Sequence, residues 1–149
     1  KRFGKFDFKK IHPSGSLSIK LKTVEDLMLT GSKIPFVRES IRMKVALKSM
    51  EKKRLGVLVV KNNQNYTSGI LTDGDIKRLS NIKNNIQNLE LKKVMNKKPI
   101  SVDKDMLAAQ ALSIMNTKKI TSLCVHKNKN KKKTIGIVHI HNILNANIN

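Results

Sequence analysis

The sequence has no tryptophan, one tyrosine and four phenylalanines among 149 residues. A core must therefore be aliphatic, with methionine filling the gaps. A single cysteine, Cys124, excludes an internal disulfide, and within the apolar run SLCV it reads as a small buried residue. No apolar run approaches the roughly 18 to 20 residues that a membrane span needs. The basic, polar start lacks the apolar centre of a signal peptide, so a cytoplasmic location is expected. Acidic residues are also scarce, ten against 31 basic ones. There are no paired catalytic carboxylates, no nucleophile triad, no P-loop and no dinucleotide-binding glycine fingerprint. Such a chain reads as a sensor or scaffold and not as a reaction centre.

What is abundant is positive charge. The net charge is +21, which points to nucleic acid or another polyanion as one class of partner. The competing reading is compositional. The chain holds 26 lysines, 15 asparagines and 16 isoleucines, as expected of an AT-rich coding sequence. The lysines are scattered, and arginine, the better reader of bases, occurs five times. The densest cluster, KNKNKKK from Lys127 to Lys133, lies between two strand-like runs and reads as a solvated hairpin tip. The length suits one domain or two small halves, and 39% apolar residues suffice for a core. The chain begins at Lys1 and reads as a piece of something longer.

Self-similarity organises the chain. KIPFVRESIRMKVALKSMEKKRLGVLVV from Lys33 aligns with KPISVDKDMLAAQALSIMNTKKITSLCV from Lys98, at an offset of about 65 residues. Val37 meets Val102, Met50 meets Met115, and Val60 meets Val125. GILTDGDI from Gly69 then aligns with GIVHIHNI from Gly136, and VEDLM ending at Met28 with LKKVM ending at Met95. Each copy predicts a helical turn ending in Met, an extended piece, a helix, an apolar strand, a polar hairpin loop, a second strand and a final helix starting at Thr72 or His139. Met43, Ala46, Leu47 and Met50 form an i, i+3, i+4, i+7 stripe, matched by Ala108, Ala111, Leu112 and Met115 behind a capping Asp105. The methionines read as core and not as ligands. Apolar strands between helices predict an α/β or α+β fold of small β-sheets flanked by helices. One unit of this size would be marginal alone, and two copies face to face would share a core about a pseudo-twofold axis. The expected divisions are a leading segment over 1–22, one repeat over 23–82 and the other over 83–149. Phe3, Phe6 and Phe8 lie in the leader, either folded back on the repeat or packed on something outside this chain.

The chemistry concentrates where the second strand of each copy meets the final helix. Thr72-x-x-Asp75 reads as a capping box, in which each side chain accepts from the other residue's backbone N–H. The same groups suit a nucleotide. A helix start offers N–H donors and positive dipole to phosphate, the hydroxyl adds a donor, and a carboxylate accepts from vicinal sugar hydroxyls. In the second copy His139 and Asn142 stand in these places, with His141 between. The box reads as lost there, and the carboxylate with it. If His139 and His141 lay on a strand they would share a face, but two imidazoles make an incomplete metal site. No metal is expected, and imidazole as a donor to phosphate or sugar is the preferred reading.

The repeated unit, with its Gly69, Thr72 and Asp75 ending, resembles the CBS (cystathionine-β-synthase) module, which occurs in tandem as a Bateman module with two nucleotide-binding clefts. HPSGSL, VEDLMLTGSKIPFV, GILTDGDIKR, ITSLCV and GIVHIHNIL together resemble the C-terminal half of bacterial arabinose-5-phosphate isomerases. Those join a sugar isomerase (SIS) domain to a CBS pair and act on the route to Kdo of lipopolysaccharide. The resemblance covers essentially the whole chain. It implies that DFKKIHPSGSLS ends a missing isomerase domain, with His12 as a catalytic residue only in the full-length parent, although Ser14 and Ser18 replace two of the family's glycines. It implies a nucleotide or nucleotide-sugar ligand such as CMP-Kdo, held by Gly69, Thr72 and Asp75 at one cleft and by Ser122, His139, His141 and Asn142 at the other. The implied partners are the chain's own isomerase domain and a second CBS pair in a homodimer, within a tetrameric parent. Two rivals stay open: a purely oligomerising module with empty clefts, and charge-driven nucleic-acid binding.

Overall fold

The computed structural model describes residues 21–148. The elements are α1 (Val24–Leu27), β1 (Phe36–Arg38), α2 (Met43–Lys53), β2 (Val57–Lys61), β3 (Thr67–Thr72), α3 (Asp73–Ser80), α4 (Leu91–Val94), β4 (Ser101–Asp103), α5 (Ala108–Lys118), β5 (Ser122–His126), β6 (Gly136–His139) and α6 (Ile140–Ile148). His12 and the three phenylalanines of the leader lie outside the described residues.

The predicted stripes are the buried faces of the long helices. In α2, Met43, Ala46 and Met50 are buried and Leu47 is partly so, while in α5 Ala108, Ala111, Leu112 and Met115 are all buried. Both helices stop on a basic residue in the left-handed region, Arg54 at φ 57° and Lys119 at φ 57°, where glycine is the usual choice. Asp105 does not cap α5. It sits in a turn where its N–H donates to Asp103 Oδ1 at 2.9 Å, and the helix begins after Leu107. Gln110 Oε1 accepts from the Leu107 N–H at 3.2 Å instead.

The chain forms two compact units, each with a three-stranded mixed sheet. In the unit over Ser32–Pro99, β1 runs parallel to β2, and β2 antiparallel to β3, with Val57 opposite Thr72. In the unit formed by the described residues up to Gly31 and from Ile100 onward, β4 runs parallel to β5, and β5 antiparallel to β6, with Ser122 opposite His139. All five residues of β5 are buried, which is why this strand shows no polar alternation.

The short leading helices are exchanged relative to sequence order. The segment after α1, which opens the first copy in sequence, bridges to β6 of the second: Leu29 N–H donates to Ile137 O at 2.8 Å. The segment after α4 bridges back to β3, with Ile70 N–H donating to Asn96 O at 2.9 Å. The methionine ending each short helix fills the space a Cβ would take on the facing strand's glycine. A Cβ on Gly69 would stand 2.6 Å from Met95 Sδ and 2.9 Å from Asn96 O, and Met28 lies on Gly136 in the same way.

Candidate functional site

Two strand-to-helix corners carry the polar groups singled out above. At the first, Thr72 is extended, at φ −117° and ψ 162°, and ends β3 while α3 starts beyond it. Its Oγ1 accepts from the Asp75 N–H at 3.1 Å, and Asp75 Oδ2 accepts from the Thr72 N–H at 3.0 Å. The predicted box is therefore formed in both directions. Arg78 folds back to place Nη2 2.7 Å from Asp75 Oδ1. On the other side, Asp73 N–H donates to Gly56 O at 3.0 Å, and a Cβ on Gly56, whose φ is +71°, would stand 2.7 Å from Asp73 Oδ2.

These bonds leave capacity for more. A hydroxyl that accepts one hydrogen bond keeps its own proton to donate, and each carboxylate oxygen keeps an accepting lone pair. Thr72 and Asp75 are both partly exposed, so cap and ligand contact are compatible. Half of such a box, at Thr23 and Asp26, starts α1, where the Thr23 N–H donates to Asp26 Oδ2 at 2.8 Å and helps hold that carboxyl below the usual range, while the Thr23 hydroxyl donates to the same oxygen at 3.1 Å. That box follows no strand, so the motif alone does not define a site. Gly69 lies three residues before Thr72, beneath Met95, and its observed contacts are packing ones.

At the second corner, half of the box survives. Asn142 Oδ1 accepts from the His139 N–H at 2.8 Å, as Asp75 does from Thr72. In the threonine's place the imidazole of His139 accepts through Nδ1 from the His141 N–H at 3.1 Å. The expectation of a lost box is thus corrected: an amide oxygen and a ring nitrogen are acceptors enough. His139 and His141 do not share a strand, since the first ends β6 and the second lies in α6. Their rings nonetheless stack, with centroids 4.9 Å apart and planes at 22°. Burial first, and His141 second, holds the His139 imidazole below its ordinary range.

Ser122 joins this corner from β5. It is 8% exposed, and its buried Oγ has no hydrogen-bond partner among the described residues. Among the described residues the buried polar side chains are Ser122, His126 and Thr134, all on β5 or the hairpin beyond it. Sequence reasoning passed over His126, whose Nδ1 shares a 2.6 Å hydrogen bond with Ser101 Oγ. The matching positions of the first copy hold Lys61 and Phe36, with the ammonium 3.6 Å from the ring centroid. The only sequence signal was the alignment itself, which sets His126 against Lys61. Burial pushes the Cys124 thiol up to about 11, against a Thr134 hydrogen bond that lowers it. Among the described residues no group of three His, Cys, Asp or Glu could hold a metal ion, and no helix is long and apolar enough to cross a membrane.

Comparisons with known proteins converge on one family. The model for the CBS domain matches residues 24–81 and 91–149. Arabinose 5-phosphate isomerase KdsD of Escherichia coli K12 is 34% identical over 143 residues, covering 95% of this chain and 43% of that protein. KdsD of Yersinia pestis is 33% identical over 147 residues, covering 98% and 44%. The chain thus spans under half the length of these curated relatives. Among solved structures, CBSX2 in complex with AMP aligns with TM-score 0.73 at 23% identity, covering 85% of this chain and 96% of that one. The CBS domain of the bacterial CNNM/CorC family Mg2+ transporter in complex with ATP aligns with TM-score 0.72 at 14% identity, covering 91% and 93%.

Proposed function

The chain belongs to the CBS domain family, and on that footing we propose that it is the ligand-sensing regulatory pair of an arabinose-5-phosphate isomerase. Its ligand is a nucleotide or nucleotide-sugar, with CMP-Kdo as the specific candidate. The observation that carries this reading is the first corner: a complete Thr72–Asp75 box that keeps a free O–H donor and spare carboxylate lone pairs at a helix start. Thr72 would meet a phosphate and Asp75 a sugar hydroxyl. AMP and ATP in the complexes of two fold neighbours make an adenine nucleotide the natural comparison. The 34% identity to KdsD supports an isomerase as the parent. The partners on this reading are that isomerase domain, which His12 would serve, and a second CBS pair in a homodimer. The repeats are 23–82 and 83–149, the parent is cytoplasmic, and its product feeds lipopolysaccharide synthesis. The net charge of +21 favours an anionic ligand.

The test joins this chain to its isomerase domain. Adding the bound nucleotide or nucleotide-sugar should change the rate of ribulose 5-phosphate isomerisation in the parent and leave it unchanged in a parent carrying Asp75→Ala. An unchanged rate in the intact parent, at ligand concentrations that saturate the pair, would remove the regulatory role.

A further inference from the structure

The first copy carries a row of cations that the physics of its own helix disfavours. On α2, Lys44, Lys48 and Lys52 recur every four residues, so they stand one above another on the side away from the buried Met43, Ala46 and Met50. At 1.5 Å per residue the row is about 12 Å long. All three are exposed, and none forms an ion pair among the described residues. Glu51, the one acid of the helix, forms none either. Like charges four residues apart destabilise a helix. Lys44 also lies in the first turn, behind Arg42 at the N-cap, where the dipole favours acids and none is present. The dipole accounts for Lys52 and Lys53 in the last turn, but not for the row. Composition does not account for it either. The matching positions of α5, in the other copy of the same unit, hold Ala109, Ser113 and Thr117, although a lysine-rich coding bias acts on both copies alike. The chain docked at the start of α2 enlarges the basic surface. Leu91 N–H donates to Ile41 O at 3.0 Å, and the exposed Lys92 and Lys93 follow, again without ion pairs among the described residues.

An unneutralised row fits a polyanion, and its surroundings select among polyanions. A membrane-surface helix buries an apolar face in lipid. The apolar face of α2 is taken up by its own core, which leaves Val45 as its only exposed large apolar residue. Protein interfaces are depleted of lysine and enriched in aromatic residues and methionine, and α2 exposes neither of the latter. Single-stranded nucleic acid is held by stacking aromatics, which α2 and α4 lack. Lysines acting as point charges suit the phosphates of a duplex, contacts that position a protein without reading sequence. We propose that the α2 row, with Lys92 and Lys93, is a docking surface for the phosphate backbone of a nucleic-acid duplex, bound without sequence preference. The surface lies within one unit and shares no residue with either corner, so it holds or fails independently of the ligand-sensing reading.

Fluorescence anisotropy of a labelled DNA duplex of about 20 base pairs, titrated with the 149-residue chain between about 50 and 200 mM salt, tests this. Binding that weakens with salt, alike for duplexes of unrelated sequence, is expected. Lys44→Gln, Lys48→Gln and Lys52→Gln together should lower the slope of log affinity against log salt by about 2 to 3, and each alone by about 1. Lys131→Gln, Lys132→Gln and Lys133→Gln, a matched loss of charge on the hairpin, should together change the slope by less than about 1. The urea midpoint of the triple α2 variant should equal or exceed that of the parent sequence, because the row opposes its own helix. A lower midpoint would make these lysines part of the fold's packing and overturn the site. Absence of duplex binding at the lowest salt would also overturn it. A hairpin variant that lowers the slope as much as the α2 variant would do so too, since net charge alone would then suffice. Tighter binding to an oligo-dT single strand, to polyglutamate or to phosphatidylserine vesicles than to the duplex would replace the proposed partner with a single strand, an acidic protein or a membrane.

Discussion

At the residue scale the two corners differ by a few atoms with separate consequences. Thr72 and Asp75 each remove one orphan donor of α3, so Thr72→Ala should destabilise the chain by about 1 kcal/mol in urea unfolding, with Thr72→Ser near neutral. The surface pair of Arg78 and Asp75 adds little, because the Arg78 side chain is 74% exposed. At the second corner the cap acceptor is a ring nitrogen, and it works only while the ring is neutral. The native state holds His139 below its usual range, mainly through burial, so between that value and about 6.5 the unfolded chain binds the proton more readily. Stability from this group is therefore complete above about pH 6.5 and falls as acid carries the pH down through the folded-state value. His126, lowered mainly by burial as well, acts in the same direction. Urea midpoints at pH 7.5 and 5.5 should differ less in His139→Asn, which can cap without titrating, than in the parent sequence. Equal differences in the two would remove His139 as a source of the pH dependence. Cys124, pushed up to about 11 and buried, should resist a disulfide reagent at pH 8 in native buffer and react in urea.

At the element scale, legibility followed periodicity. The stripes of α2 and α5, the apolar strands and both strand-to-helix corners were readable, because each depends on spacing within a single segment. The start of α5 was not. Asp105 has a capping residue's chemistry, but the turn from Asp103 to Met106 takes up the chain first, and the helix opens two residues later. The second cap was misjudged because residue type stood in for hydrogen-bonding capacity: His139 and Asn142 both accept. The exchange of the short helices could not be read at all, since it is a long-range pairing of Met28 with Gly136 and Met95 with Gly69. That pairing has a measurable signature. Gly69→Ala brings a methyl onto the Met95 sulfur and the Asn96 carbonyl, and backbone cannot yield as a side chain can. It should cost about 1–3 kcal/mol by denaturant unfolding, and adding Met95→Ala should not restore it. The helix ends offer the opposite case. Lys119→Gly removes a left-handed lysine and should gain up to about 1 kcal/mol, provided the flexible unfolded state does not offset it.

At the scale of the whole molecule, two similar units present two dissimilar strand-to-helix corners, a complete Thr–Asp box in one and a His–Asn pair in the other. The first unit backs its corner with an apolar Val57, and the second backs it with the unsatisfied Ser122. The surplus of lysines is spread over exposed positions, including the hairpin from Lys127 to Lys133, and it raises the local concentration of any anion without choosing one. On the proposed reading, selection falls to the corners. The most direct measurement is calorimetric titration of the 149-residue chain with CMP, CMP-Kdo, AMP and ATP, repeated with Asp75→Ala. Saturable heat with at least one of them, weakened about tenfold or more when the Asp75 carboxylate is removed, is the expected result. No heat from any of the four at millimolar concentration, in a chain shown to be folded, would contradict the account.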